Sequence, residues 1–322
     1  MVYVPLRTNE PTSGFSPFSV DKLLDNSLTD FDLYVKVGDH FILYSGNGYK
    51  WERSELEGLV RNGYPSLWLH PSESKKAVVY EKINSLPQLS RNLAPPKRIN
   101  SIQDIGAAFS SYLYEGEITQ ACIHKAEVLA DQLVECVKED PSCIKEISGL
   151  ANHDMYTFLH SIRVATYATA ISIKMGIVDD EHLRLIAMGG IFHDVGKATV
   201  PLSVINKQGP LLDSEWAQMK NHPIAGFERI KDSLLHQISR EIVVHHHERL
   251  NGSGYPHGLD RNSILPEVQI ATLADIFDAL TSSRSYQNKR TRFEALDFIK
   301  HRLLKTDVSA DAFKGLIDCL AS

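Results

Sequence analysis

The sequence predicts a mostly α-helical protein with a small α+β module ahead of the helices. Three observations carry this reading. Alternating apolar and polar residues occur only in roughly the first 85 positions. Beyond position 100, apolar residues recur at the three- and four-residue spacing of helix faces. A polar stretch with three prolines, LPQLSRNLAPPKRIN at 86–100, lies between the two regions and reads as a linker.

The elements follow in order. In 30–45 (DFDLYVKVGDHFILYS), Phe31, Leu33, Val35 and Val37 share one face. Gly38 and Asp39 then offer a turn, and Phe41 and Leu43 resume the alternation, which makes a β-hairpin. A helix is expected over 51–61, with Leu56, Leu59 and Val60 on one side, then a strand over 66–70 and a charged amphipathic helix over 72–83. The module 1–85 therefore has the order ββαβα. Segment 101–150 reads as connecting helices, with periodic stretches at 102–113 and 118–137. Helices dominate 151–322, and neither repeats nor low-complexity tracts interrupt them.

Composition narrows the function classes. The chain has 322 residues, 43% hydrophobic and 23% charged, values usual for a globular protein with a sizeable core. Net charge is −6, and residues 101–322, with 22 basic and 29 acidic side chains, contribute −7. This balance argues against a nucleic-acid polymer as partner. The four cysteines show no CxxC spacing and read as reduced thiols of a cytoplasmic protein. The start, MVYVPLRTNEP, shows no export signal, and no apolar run approaches the ~20 residues of a membrane span.

Histidine is the informative residue. Eleven of fourteen lie between His153 and His301, in the acidic part of the chain, a pattern that points to bound cations. In TFLHSIRVATYATAISIKM (157–175), His160 shares an apolar helix face with Val164, Tyr167 and Ile171, while Arg163, Thr166, Ala170 and Lys174 mark a more polar side. In LRLIAMGGIFHDVGK (183–197), His193 and Asp194 continue the inward stripe of Leu183, Ile186, Ala187 and Gly190, and Gly189 and Gly190 allow another helix close. A buried His beside a carboxylate needs partners or a metal.

His222 precedes Pro223 and so stands at a helix start. Of His245, His246 and His247, at most two can point inward together; the apolar run Ile242, Val243, Val244 before them marks a buried helix. NGSGYP (251–256) is a tight loop. Asp275 and Asp278 sit in the apolar helix ATLADIFDALT (271–281) and need partners there. Each feature alone has a plain structural explanation: a core His, a helix cap, a turn.

As a set they do not. The succession HDVGK, NHP, HHERLNGSGYP and ADIFDALTSSRSY resembles the HD-GYP subfamily of the HD superfamily of metal phosphohydrolases, bacterial phosphodiesterases that cleave cyclic di-GMP. The resemblance covers roughly residues 150–310 and implies an HD-type helical bundle around a metal centre, with 151–322 as the catalytic domain.

It further implies two divalent ions, iron or manganese by family precedent, with zinc or another first-row ion compatible. One would be held by His160, His193, Asp194 and Asp275, the other by Asp194, His222, His246 and His247, with Asp194 bridging and a metal-bridging hydroxide as nucleophile. By the same resemblance Lys197 and Arg284 contact phosphate, Gly254, Tyr255 and Pro256 form the loop beside the active site, and Glu248 supports that loop.

The chain departs from the family pattern at three positions. Tyr156 stands where a third metal would need Glu, Ser285 replaces the Pro of the RPY segment, and Gln287 replaces the basic residue after it. The expected activity is hydrolysis of cyclic di-GMP to pGpG and onward to GMP. The alternatives are the same fold acting on cyclic GMP-AMP or another nucleotide, or a weakly catalytic binding module. Helices at 101–150 are candidates for pairing in a homodimer. The GYP loop or the N-terminal module, for which a regulatory or interaction role is expected, would make signalling-protein contacts.

Overall fold

The computed structural model describes residues 14–147, 156–282, 290–304 and 306–321, with side chains at 89–91 and 156–158 left aside. The chain divides into two compact units, Met1–Ser85 with Thr119–Lys125, and Leu86–Ile118 with Ala126–Ser322.

The first unit contains β1 (Ser16–Ser19), β2 (Leu28–Thr29), β3 (Leu33–Val37), β4 (His40–Ser45), β5 (Tyr49–Lys50), α1 (Arg53–Arg61), β6 (Ser66–Leu69) and the start of α2 (Ser74–Asn92). A four-stranded antiparallel sheet has the order β1-β6-β3-β4, and β2 pairs with β5. The hairpin, the helix and the strand after it stand where the alternation places them. Gly38 turns the hairpin at φ +59°, a conformation that favours glycine. The ββαβα order omits β1, β2 and β5. Two of these strands have only two residues, too few to show a period. Phe31, Leu33, Trp51 and Leu67 are completely buried at the centre of this unit, whereas Val37, expected on the same face as Leu33, is 51% exposed.

The expected linker at 86–100 is largely helical. α2 continues through Pro87, and α3 (Pro95–Glu115) begins on a proline pair. Proline fits the first turn of a helix because no N–H is needed there, so Pro95 and Pro96 start a helix rather than break one. α4 (Gln120–Glu139) begins in the first unit, where Lys125 is buried and ion-paired to buried Asp30.

The second unit is helical: α5 (Tyr156–Lys174), α6 (Asp180–Phe192), α7 (Leu202–Ile205), α8 (Asp213–Lys220), α9 (His222–Ile230), α10 (Gln237–His245), α11 (Pro266–Thr281), α12 (Arg292–Phe298) and α13 (Ala310–Ala321). α5 is the central helix, packed by α3, α6, α11 and α13, while α10 lies against α6, α9 and α11. Two glycines permit this closeness. A Cβ at Gly190 would come within 2.6 Å of the α5 backbone at Ala165, and one at Gly189 within 2.5 Å of Ile242 on α10. Among the described residues no helix is long and apolar enough to cross a membrane.

Candidate metal centre

Five helices bring the histidines and acids to one point. His160 projects from α5; His193 and Asp194 follow the end of α6; His222 opens α9; His246 and His247 follow the end of α10; and Asp275 lies on α11. His160, His193, Asp194, His222 and His246 are each 1% exposed, and Asp275 is 7% exposed. Ligand atoms of His160, His193 and Asp275 lie within 4.8 Å of one another, as do those of His193, Asp194 and His246, and those of His222, His246 and His247.

Asp194 is the hub. Its Oδ1 lies 3.3 Å from His222 Nε2 and 3.9 Å from His246 Nε2. Its Oδ2 lies 3.3 Å from His193 Nε2 and 3.6 Å from His160 Nε2. One carboxylate thus turns a separate oxygen to each half of the cluster. Asp275 completes it, with Oδ1 3.1 Å from His160 Nε2 and Oδ2 3.8 Å from His247 Nδ1.

The imidazoles are set up as ligands. Nδ1 of His193 donates to Gly190 O at 2.8 Å, that of His222 to Met219 O at 2.7 Å, and that of His246 to Val243 O at 3.0 Å. A carbonyl only accepts, so each ring carries its proton on Nδ1 and presents the Nε2 lone pair inward. Nε2 of His193 is buried, and no hydrogen bond of good geometry reaches it. A buried lone pair left in this way is costly unless a ligand fills the gap.

Electrostatics agree. Burial pushes His246 well below the ordinary imidazole pKa, and the neighbouring His charges add to this. Burial does the same to His247. Both therefore stay neutral, as a metal ligand must. Burial pulls the Asp194 pKa upward but is outweighed by the adjacent His193 and by the Lys197 ammonium, which hold it well below the carboxylate range. At Asp275 burial is likewise outweighed, chiefly by His160. The donor set of imidazole nitrogens and ionised carboxylates fits first-row divalent ions.

The HD turn is held from several sides. Lys197 Nζ donates to Asp194 Oδ2 at 2.6 Å. Tyr114 Oη donates to Asp194 O at 3.0 Å. Arg229 donates to Val195 O, Leu113 O and Gly116 O, tying the turn to the end of α3.

Beside the cluster, Glu248 is buried and its carboxylate accepts from the N–H groups of His257, Gly258 and Leu259 at 2.7–3.1 Å. Glu248 thus folds the 251–259 loop back on itself, the supporting role expected from the sequence. Gly254 lies so close that a Cβ would fall 2.4 Å from Glu248 Cα. The Tyr255 ring stacks on His247 at 4.7 Å, and Pro256 follows it in the loop. Burial, then the Asp275 and Asp194 charges, push the Tyr255 pKa up, so its phenol stays protonated. Of the triple His, His245 turns outward to Glu241 and His257.

The sequence reading missed one layer. Arg163, assigned to the polar side of α5, is 1% exposed. Its Nε lies 2.8 Å from Asp278 Oδ1, and Asp278 Oδ2 accepts from His160 Nδ1 at 2.7 Å. Arg163 and Asp278 therefore aim His160. The signal available was Asp278 within an apolar helix; nothing linked it to Arg163. Asp278→Asn is expected to weaken metal binding about 10–100-fold with little change in fold, read by titration of metal-stripped protein. Unchanged affinity would remove Asp278 from this role. Arg284, Ser285 and Gln287, and the side chain of Tyr156, lie outside the described residues.

Comparison with known proteins agrees with this geometry. The chain is 32% identical to a cyclic di-GMP phosphodiesterase of Pseudomonas aeruginosa over 53% of its own length and 41% of that protein. It is 38% identical to the cyclic di-GMP phosphodiesterase response regulator RpfG of Xanthomonas campestris pv. campestris over 42% of its length and 36% of that protein. It is also 38% identical to 3'3'-cGAMP-specific phosphodiesterase 2 of Vibrio cholerae, over 42% and 26% respectively. The chain thus spans less than half the length of these relatives. Its fold matches that of an HDG"Y"P protein of Bdellovibrio bacteriovorus with a TM-score of 0.65 at 22% identity, covering 96% of this chain and 100% of the other. The HD domain family model matches residues 141–307, just over half of the chain and every residue of the cluster, and the chain belongs to that family.

Proposed function

We propose that this chain is a metal-dependent phosphodiesterase that hydrolyses cyclic di-GMP to pGpG and onward to GMP. The observation that carries the proposal is the Asp194 carboxylate, whose two oxygens face two different sets of imidazole Nε2 atoms. Such an arrangement suits a pair of ions sharing one anionic ligand. His160, His193, Asp194 and Asp275 would hold one, and Asp194, His222, His246 and His247 the other. Iron or manganese is the proposed metal. When bound, the ions supply Lewis acidity toward phosphate oxygens and lower the pKa of a nucleophilic water.

The protein side chains would do the rest. Lys197 keeps Asp194 ionised and brings a positive charge to the cluster's edge, where a phosphate would lie. Tyr255, protonated and stacked on His247, is a hydrogen-bond donor toward substrate. The close-packed turn of Gly254 and Pro256 fixes its position. Arg284 is proposed to grip phosphate bidentately.

The relatives named above include enzymes for both cyclic di-GMP and 3'3'-cGAMP at equal identity, so the test uses both. Anaerobically purified protein of measured metal content would be incubated with each dinucleotide and the products resolved by chromatography. Conversion of cyclic di-GMP to pGpG is expected. No turnover with two equivalents of iron or manganese bound would overturn the proposal, and turnover of 3'3'-cGAMP alone would change the substrate.

A further inference from the structure

The ligand cluster has an aromatic approach on one side. The Tyr255 ring that stacks on His247 also meets the indole of Trp216, with ring centroids 6.2 Å apart and planes at 76°. Two ring contacts therefore lead from a proposed metal ligand out to Trp216, which is 44% exposed. An edge-to-face contact occupies at most one face of the indole. Much of a large, flat, apolar residue thus faces water beside the cluster and forgoes the gain that burial would bring.

The helix that carries Trp216 is held by hydrogen bonds rather than by burial. No residue of α8 is buried. Near its start, Glu215 accepts from Lys207 Nζ and from the Leu212 N–H at 2.7 Å. Near its end, Met219 O accepts from His222 Nδ1 at 2.7 Å. Trp216 and Met219 are three residues apart and share a helix face. The hydrogen bond that aims His222 at the cluster therefore also fixes where the indole stands. A cyclic dinucleotide brings matching chemistry: its phosphates go to the metal centre, and each base stands one sugar away from a phosphate. Stacking on an aromatic side chain is a usual way for proteins to hold a base.

We infer that Trp216 is the stacking platform for a guanine base of the substrate, and so a determinant of substrate binding outside the metal centre. The inference rests on the cyclic dinucleotide reading above, and both dinucleotides named there contain guanine.

The test titrates the metal-containing chain by calorimetry with two probes that share a phosphate, GMP and ribose 5-phosphate. GMP should bind about tenfold more tightly. In Trp216→Ala that advantage should disappear, while the affinity for ribose 5-phosphate and the metal content stay as they were. Trp216→Phe keeps an aromatic face and should retain most of the preference for GMP. Fluorescence of the unaltered protein gives a readout that needs no Ala variant. The other tryptophans, Trp51 and Trp68, belong to the first unit. GMP should quench the emission, ribose 5-phosphate should not, and the quench should vanish in Trp216→Phe. Equal affinity for the two probes in the unaltered chain, undetectable binding of both included, overturns the inference. So does an unchanged preference for GMP in folded Trp216→Ala, an equal loss for both probes, or no quenching by excess GMP. Failure of the phosphodiesterase reading has a separate signature, the absence of turnover of either dinucleotide whatever the GMP titration gives.

Discussion

Asp194→Asn is expected to abolish metal loading and hydrolysis together. Asn keeps the shape of Asp but offers one neutral acceptor oxygen in place of two ionised ones. The loss falls on both halves of the cluster, because Oδ1 serves His222 and His246 while Oδ2 serves His160 and His193. Lys197 would lose its anionic partner in the same step. Metal content should fall from two equivalents to below one, and kcat by on the order of 10³-fold or more. Elemental analysis and product chromatography read the two effects separately. Full metal content with full activity would show that Asp194 does not bridge.

Gly196→Ala should have the largest effect on the fold. A Cβ at this position would lie 1.9 Å from His222 O and 2.4 Å from Gly226 N. Both are backbone atoms of α9, so no side-chain rotation relieves the clash. The helix must retreat from the HD turn, carrying His222 with it. A destabilisation of about 3 kcal/mol or more is expected, larger than the usual cost of an added methyl. Chemical denaturation measures it, and metal content should drop in parallel. A variant with unchanged stability and a full metal complement would refute the close-packing argument.

The candidate ligands could be picked out in the sequence because the chemistry needs scarce residue types. His193 and Asp194 on an apolar stripe, or His246 after three apolar residues, are hard to explain as anything bland. The helices were legible for a similar reason, since a 3.6-residue period persists over many turns. Proline was misleading at 86–100, because its effect depends on where in a helix it falls, and Pro95 and Pro96 fall at the start. Short strands such as β2 and β5 carry too few residues to signal themselves. Arg163 was assigned to the wrong environment because polarity was taken as exposure. Only tertiary packing of α5 on α11 brings Asp278 to it.

The rings of the cluster differ in how far along the chain their aim is decided. His193, His222 and His246 are each steered by a carbonyl three residues earlier, so one turn of backbone suffices to point them. His160 is steered from 118 residues away. Local unfolding that separates α11 from α5 would release His160 while the other three rings kept their bearing. The two halves of the centre should therefore fail in order under mild denaturant, with the half containing His160 and Asp275 giving way first.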